Sequence, residues 1–312
     1  MKRITIPILR ACVAIVAISA SIGVLLARPA RAAAAPFFFI QLSDPQFGMY
    51  TANADFAQET ANFTFAIAAA NRLRPAFVVV TGDLVNKAGD AAQIGEYRRV
   101  AATLDRAIPL YHVAGNHDVE NTPTPQTIAA YTAQFGPDHY AFDAGNVRGI
   151  VLDSSLIAAP QQARDAFDEQ ERWLRAELAR ARADGVRHIV VFQHHPWFLL
   201  HPGEPDEYFN IPLARRTPYL KLLEESGVQY LFAGHYHRSL LARAGAMEMI
   251  ITGPVGKPLG DAKSGLRIAI VDDAGITHRY YDFGDVPNHI AVTKGFQSGQ
   301  GSQTASPTPV RP

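Results

Sequence analysis

The segment GNHD at residues 115–118 places an amide, an imidazole and a carboxylate on three consecutive side chains. Asn116 can bind a metal ion through its amide oxygen, and His117 can donate a proton to a leaving group. Asp118 can orient His117 by accepting a hydrogen bond from its ring. The segment therefore offers a metal ligand, a proton donor and the residue that orients the donor.

Three other short segments also carry polar side chains directly after an apolar run that predicts a buried strand. They are SDPQ at 43–46, GDLVN at 82–86 and GHYHR at 234–238. Open α/β sheets bind their ligands at the carboxyl ends of the strands, so the four segments are expected to meet there. Together they predict a two-metal hydrolase site.

The charge balance of these segments suits the hydrolysis of a phosphate ester. Two cations can activate water and offset charge on the phosphoryl oxygens if one carboxylate bridges them. Asp44 and Asp83 supply two negative charges against four positive ones, which leaves a surplus for hydroxide and phosphate. The candidate neutral ligands are Gln46, Asn116, His194, His235 and His237.

The same segments resemble the motifs of the calcineurin-like metallophosphoesterases. This resemblance implies two packed mixed β-sheets flanked by helices and a site in which Asp83 bridges two metals. The first metal would take Asp44, Gln46, Asp83 and His237, and the second Asp83, Asn116, His194 and His235. His117 would protonate the leaving group or clamp the phosphate, and Asp118 would orient it.

The first segment departs from the usual family pattern, because Gln46 stands where the family usually has histidine. An amide oxygen is a harder ligand than imidazole, so the two divalent ions could be Mn, Fe, Mg or Zn, with Mn favoured. This glutamine and the segments VFQHHP, EYFN and GLRI make residues 38–282 similar to the calcineurin-like phosphoesterase domain-containing protein 1 subfamily. That subfamily is regarded as Ser/Thr phosphatases.

Several further residues have both a functional and a structural interpretation. His194 directly ends its strand and is favoured as the ligand over His195, which is expected to form the pocket wall. Arg238 could hold a phosphate oxygen in a bidentate contact, or it could be a solvated surface residue. Asn86 is assigned to substrate binding, although it could instead brace its loop. The acidic residues Glu204, Asp206 and Glu207 could disfavour highly anionic substrates.

The N-terminal segment 1–33 is typical of a secretory signal. Lys2 and Arg3 precede an apolar run at 11–27, and Ala-Arg-Ala at 30–32 is a small-x-small cleavage pattern. The expectation is an exported protein, periplasmic or secreted, and the alternative is an uncleaved membrane anchor. The only cysteine, Cys12, lies in this segment, so the remaining chain has no thiolate ligand.

The rest of the chain predicts one α/β domain at 34–285 and a disordered tail at 286–312 that is rich in Ser, Gln, Gly and Pro. Strand and helix patterns alternate up to GNHD and end in segments that look like strands alone, which indicates two packed mixed sheets flanked by helices. With 29 basic and 29 acidic residues, no overall field recruits nucleic acid. A monomer without stable membrane association is expected.

The sequence thus predicts a metal-dependent phosphoesterase that hydrolyses phosphate monoesters of a phosphoprotein or a small molecule through metal-activated hydroxide. A phosphodiesterase acting on cyclic nucleotides or glycerophosphodiesters with the same metals is the alternative within this chemistry. A non-catalytic surface protein that keeps the metals for folding or binding is the alternative from another class.

Overall fold

The computed structural model describes residues 35–292. The strands in this range are β1 Phe37–Leu42, β2 Val78–Thr81, β3 Leu110–Val113, β4 Tyr140–Ala144, β5 Val147–Val151, β6 His188–Phe192, β7 Val228–Ala233, β8 Leu240–Ala244, β9 Met247–Ile251, β10 Gly265–Val271 and β11 Ile276–Asp282. The helices are α1 Ala57–Leu73, α2 Ala91–Ala101, α3 Asn116–Val119, α4 Pro125–Phe135, α5 Ser154–Ala158, α6 Arg164–Asp184 and α7 Leu213–Glu225.

The strands form two mixed sheets. The first has the order β11-β10-β1-β2-β3, and the second has the order β4-β5-β6-β7-β9-β8. In the first sheet β1, β2 and β3 are parallel and β10 and β11 are antiparallel additions. In the second, β5, β6, β7 and β9 are parallel, with antiparallel strands at both edges. The predicted fold of two packed mixed sheets flanked by helices is confirmed.

Aromatic side chains fill the space between the two sheets. Phe39 of the first sheet stacks on Phe77 at 4.7 Å between ring centroids, and it meets Phe192 and Phe232 of the second sheet edge-on. A second apolar cluster packs helices α1 and α2 against the first sheet, and a third packs α6 and α7 against the other. Both faces of the central strands are therefore buried, which explains why these strands read as continuous apolar runs.

Two features differ from the sequence expectation. Helix α4 was not predicted from the sequence, and its signal is Thr124 as N-cap with Pro125 in the first turn. Val286, Ile290 and Val292 pack against the first-sheet cluster, so residues 286–292 do not have the predicted disorder. The rest of the tail and the predicted signal segment 1–33 lie outside the described residues.

Within residues 35–292, no helix is both long enough and apolar enough to cross a membrane.

Candidate metal centre

The loops after β1, β2, β6 and β7 bring two groups of candidate ligands together. One group is Asp83, His194 and His235, and the other is Asp44, Asp83 and His237. Within each group the ligand atoms all lie within 4.8 Å of one another, and every residue is buried. Asp83 belongs to both groups, which is the position that a bridging carboxylate requires.

The backbone is strained at most of these positions. A non-glycine residue with a positive φ of about 40–65° is uncommon, and such strain concentrates at functional sites. Five candidate ligands adopt it: Asp44 (φ 48°), Gln46 (φ 40°), Asp83 (φ 50°), His235 (φ 65°) and His237 (φ 53°). The strands β1, β2 and β7 therefore end in turns that direct these side chains into the shared cluster.

Backbone carbonyls fix the orientation of two of the histidines. Nδ1 of His194 lies 2.8 Å from the carbonyl oxygen of Thr81, and Nδ1 of His237 lies 2.6 Å from that of Lys257. Each ring therefore places Nδ1–H on the carbonyl and turns Nε2 toward an aspartate oxygen, at 3.2 Å and 3.4 Å respectively. This arrangement of a metal-binding nitrogen backed by a second hydrogen bond is typical of histidine ligands.

In His235 the two ring nitrogens have exchanged roles, because Nε2 and not Nδ1 lies on a backbone carbonyl. Its Nε2 lies 3.0 Å from the carbonyl oxygen of Tyr208, which leaves Nδ1 as the ligand atom. Asn116 begins α3 and places its amide oxygen 3.0 Å from Nε2 of His194. Asn116 therefore joins the group of Asp83, His194 and His235.

Gln46 presents a buried oxygen to the other group. Its amide nitrogen donates to Oδ1 of Asn86 at 3.1 Å, whereas its Oε1 is buried without a hydrogen-bond partner among the described residues. A buried acceptor without a partner costs free energy unless something else binds it. The oxygen thus suits a cation, and the Asn86 contact determines which end of the amide faces inward.

Asn86 positions its neighbours instead of facing substrate. Its side chain is occupied by Gln46 and by Asn53, whose Oδ1 accepts from Nδ2 at 2.8 Å. Its carbonyl oxygen lies 2.8 Å from Nδ1 of His117. The assignment of Asn86 to substrate binding is therefore corrected to the bracing role, because the polar atoms of its side chain are already bound.

The predicted contact between Asp118 and His117 is also corrected. The carboxylate of Asp118 accepts hydrogen bonds from the backbone nitrogens of Gly115 (2.8 Å), Leu84 (2.9 Å) and Val85 (3.2 Å). Because α3 turns the two side chains apart, the carbonyl of Asn86 orients His117 instead. Asp118 therefore joins the GNHD loop to the backbone of the GDLVN loop directly after Asp83.

The electrostatics of the cluster favour the metal-binding protonation states of Asp83 and His235, whereas a metal must displace a proton from His194. Burial opposes the charge of Asp83, but the imidazoles of His194 and His117 hold the pKa of its carboxyl well below its usual value. Burial and the neighbouring His194 lower the pKa of His235 to about 3. Against burial, Asp83 and Asp44 raise the pKa of His194 to about 9. Asp83 is therefore ionised and His235 neutral, as ligands must be.

Two glycines allow the loops to approach this closely. A β-carbon added to Gly234 would overlap Oγ of Ser43 and Oδ2 of Asp44. A β-carbon added to Gly115 would overlap the backbone nitrogen and Oδ1 of Asp83. Gly234 and Gly115, the first residues of GHYHR and GNHD, are thus required because each packs directly against an aspartate of another loop.

His195 and Arg238 lie beside the cluster. Nδ1 of His195 pairs with Oγ of Ser154 at 3.0 Å, and its ring packs on that of His235, with centroids 4.3 Å apart. His195 thus forms the expected wall. The guanidinium of Arg238 lies against Gly260, where an added β-carbon would overlap it, so its contact with phosphate stays a prediction.

Tyr208 is the residue of this site that the sequence did not single out. Its hydroxyl lies 3.3 Å from Nδ2 of Asn116, and its carbonyl oxygen holds His235. Tyr208 lies in the EYFN segment, which the sequence analysis noted. The local sequence does not show, however, that the loop carrying this segment packs against the end of β7.

The donor set fits two divalent cations. It consists of nitrogen and oxygen ligands with two carboxylates, one of them shared, and it includes the buried oxygen of Gln46, which has no hydrogen-bond partner within residues 35–292. Asp44, Gln46, Asp83 and His237 would hold one ion, and Asp83, Asn116, His194 and His235 the other. His117 is partly exposed beside the shared Asp83, whose Oδ1 accepts from the His117 backbone nitrogen at 2.9 Å.

This fold and site define a class of metal-dependent phosphoester hydrolases. The family model for calcineurin-like phosphoesterase matches residues 39–239, and the chain belongs to that family. Among curated relatives, it is 37% identical to the serine/threonine-protein phosphatase CPPED1 of Bos taurus over 266 residues, covering 80% of this chain and 85% of the relative. The predicted family and the predicted phosphoesterase activity are confirmed.

Solved structures share the fold at low sequence identity. A dimetal phosphatase from Danio rerio matches with a TM-score of 0.56 and 16% identity, over 79% of this chain and 99% of that one. GAP50, described as the anchor in the inner membrane complex of Plasmodium, matches with a TM-score of 0.61 and 13% identity, over 80% and 85%. The fold therefore occurs with different roles, and the activity of this chain is argued from its site and its closer relatives.

Proposed function

We propose that this phosphoesterase hydrolyses phosphate monoesters, with a phosphorylated protein side chain or a small phosphorylated molecule as substrate. The observation that carries the proposal is the placement of His117. Its backbone nitrogen is fixed on Asp83 and its Nδ1 on the carbonyl of Asn86, so Nε2 is the ring atom available to a substrate. A positioned imidazole beside the ligand cluster suits protonation of a leaving alkoxide.

The residues divide the reaction between them. When bound, the two divalent cations would polarise the phosphoryl oxygens and lower the pKa of a water molecule. As the oxygen of water bonds to phosphorus and the bond between phosphorus and the ester oxygen breaks, His117 gives its Nε2 proton to the departing oxygen. The carbonyl of Asn86 keeps the other ring proton on Nδ1, so the ring delivers from the correct atom. Asp118 maintains the geometry by holding both loops around Asp83.

Manganese is the proposed metal. The ion held by Asp44, Gln46, Asp83 and His237 would have three oxygen ligands, and only His237 would supply nitrogen. Oxygen-rich sites of this kind favour Mn or Mg over Zn. The buried Oε1 of Gln46 supports this choice, because an imidazole at that position would move the balance toward nitrogen.

The substrate class is proposed from the curated relative, which is named a serine/threonine-protein phosphatase. The experiment compares p-nitrophenyl phosphate, bis(p-nitrophenyl) phosphate and a phosphoserine peptide with the manganese-loaded protein. We expect both monoesters to be hydrolysed at least about tenfold faster than the diester, a barrier difference of about 1.4 kcal/mol. A faster reaction with the diester would overturn the proposal in favour of a phosphodiesterase.

Matched variants connect the measured rate to this site. His117→Ala removes the proton donor and should lower the rate by about 10²–10⁴-fold, the usual contribution of a general acid. Asp83→Asn removes the shared ligand and should abolish activity together with metal binding. If wild type and both variants hydrolysed p-nitrophenyl phosphate equally, the activity would come from elsewhere.

We also propose that the protein is exported and works as a monomer outside the cytoplasm, in the periplasm or secreted. The support is the charged, apolar and small-residue pattern of segment 1–33. N-terminal sequencing of protein recovered from the periplasm or medium should begin near Ala33. Recovery of the uncut chain in the membrane fraction would favour the anchor, and light scattering tests the monomer.

A further inference from the structure

Tyr208 lies at the mouth of the metal centre, in the loop that joins β6 to α7. Its side chain is 58% exposed, which is unusual for an aromatic residue beside a buried site. Nevertheless its ring centroid lies 4.9 Å from that of His235, and its hydroxyl lies 3.3 Å from Asn116. Tyr208 therefore contacts His235 and Asn116 while much of its surface is open to solvent.

In the hydrogen bond between Tyr208 and Asn116, the tyrosine hydroxyl is the acceptor, so its own proton is not used in that bond. Because the Nδ2 group of an amide carries only donors, it donates to the Tyr208 hydroxyl oxygen. The amide oxygen of Asn116 faces His194 and the ligand group. The hydrogen bond from Asn116 therefore does not use the hydroxyl hydrogen of Tyr208, which can be donated to a ligand.

The loop holds Tyr208 in place from two directions. At the site, the Tyr208 carbonyl oxygen pairs with Nε2 of His235 at 3.0 Å. At the base of the loop, the carboxylate of Glu204 accepts from the backbone nitrogens of Leu199 (2.6 Å) and Leu200 (2.8 Å) and from Nδ2 of Asn210 (2.8 Å). An exposed side chain on so constrained a backbone is suited to meet a ligand without a large ordering cost.

Similar contacts give two of the acidic residues of this loop a structural role. Glu204 is buried and occupied by backbone donors, and Oδ1 of Asp206 caps α7 by accepting from the nitrogen of Leu213 at 2.6 Å. Two of the three acidic residues that could have repelled anionic substrates are therefore engaged in structural contacts. The loop presents at the site a hydroxyl, which can donate a hydrogen bond, and an aromatic ring.

We propose that Tyr208 is a substrate-binding residue, whose hydroxyl donates a hydrogen bond to a phosphoryl oxygen and whose ring packs against the organic group of the ester. This inference rests on the proposed function as a phosphomonoesterase. It assigns the ester group to the side of the site formed by the β6–α7 loop. Monoesters with an aromatic or apolar group next to the phosphate are accordingly the favoured class.

The test uses the full chain loaded with Mn²⁺ and inorganic phosphate as the probe. Tyr208→Phe keeps the ring and removes the hydroxyl. We expect the dissociation constant for phosphate, measured by calorimetry, to rise about 10- to 100-fold, the effect of losing one hydrogen bond to a charged group. The kcat/KM for p-nitrophenyl phosphate should fall by a similar factor while two metal ions stay bound. Tyr281→Phe, on β11, is the matched control and should change neither value.

Tyr208→Leu separates the ring from the hydroxyl. Compared with Tyr208→Phe, it should further lower kcat/KM for p-nitrophenyl phosphate but not for glycerol phosphate, whose organic group is small and polar. Equal losses with both esters would overturn the assigned role of the ring.

Three outcomes keep this inference separate from the proposed function. Phosphate affinity and kcat/KM unchanged in Tyr208→Phe would overturn the inference. Metal loss in that variant would also overturn it, because the hydroxyl would then act through Asn116 and not on the substrate. Preferential diester hydrolysis by the wild type would instead contradict the proposed function, and the phosphate-binding comparison would still decide whether Tyr208 contacts phosphate.

Discussion

Replacing Asp118 with asparagine tests whether this residue joins two loops or orients His117. In the structure one carboxylate oxygen accepts from the nitrogens of Leu84 and Val85, and the other accepts from that of Gly115. Asparagine has nearly the same shape but only one oxygen. Whichever way its amide is turned, an NH₂ group must face at least one buried N–H donor.

The size of the effect follows from these contacts. Leaving one buried N–H without an acceptor costs about 1–3 kcal/mol. Burial and the nearby Asp83 raise the pKa of Asp118, which shows that part of this cost is offset when the charge is removed. We therefore expect Asp118→Asn to lower the free energy of unfolding by about 1–3 kcal/mol.

Urea unfolding of the metal-free protein measures this loss directly. Asp90→Asn is the matched control, because Asp90 caps α2 by accepting from Ala92 and Gln93, and asparagine is an equally good cap. It should change the free energy of unfolding by less than about 0.5 kcal/mol. His117→Ala is the second comparison, since it should lower the rate with little effect on stability.

The opposite pattern would refute the reasoning. If Asp118→Asn unfolded with wild-type stability and kept both metals, but lost activity to the same extent as His117→Ala, the carboxylate would act on His117. The loop-joining role would then be wrong.

Two further predictions follow from contacts around the site. Gly234→Ala should destabilise the fold and weaken metal binding because its methyl group overlaps Ser43 and Asp44, whereas Gly95→Ala, in open space on α2, should be neutral or stabilising by up to about 1 kcal/mol. Thermal unfolding and metal titration of both would check this, and an unimpaired Gly234→Ala would contradict it. Burial opposes the charge of Glu204, but its N–H donors lower its pKa, so its stabilising effect exists above the unfolded pKa of about 4.3 and fades as pH falls through the folded value. Glu204→Gln should therefore lose more stability at pH 7 than near pH 3 in urea unfolding, and an equal loss at both would contradict this account.

The fold could be predicted from local patterns because its central strands are continuous apolar runs that end in polar turns. The run before Asp44 and the run before Asp83 each become a parallel strand of the first sheet, and the physics of parallel sheets then places both aspartates at one edge. Helix α4 was missed because its apolar face is weak, and the cap at Thr124 was not used as a signal.

The contacts of single side chains could not be predicted in the same way. Asp118 stands next to His117 in sequence, but α3 turns their side chains apart, and the carbonyl that orients His117 comes from Asn86, 31 residues away. Tyr208 reaches Asn116 across 92 residues. Such long-range pairs depend on how the loops pack against one another, and residue type and local spacing do not encode this.

Metal stoichiometry of the wild type and of Asp83→Asn tests the central claim most directly. Asp83 belongs to both ligand groups, so its carboxylate supports both ions. Elemental analysis and Mn²⁺ titration should show two ions per chain in the wild type and loss of tight binding at both sites in Asp83→Asn, with the variant still folded by circular dichroism. Two tightly bound ions in Asp83→Asn, or fewer than two in the saturated wild type, would contradict a centre built on a shared aspartate.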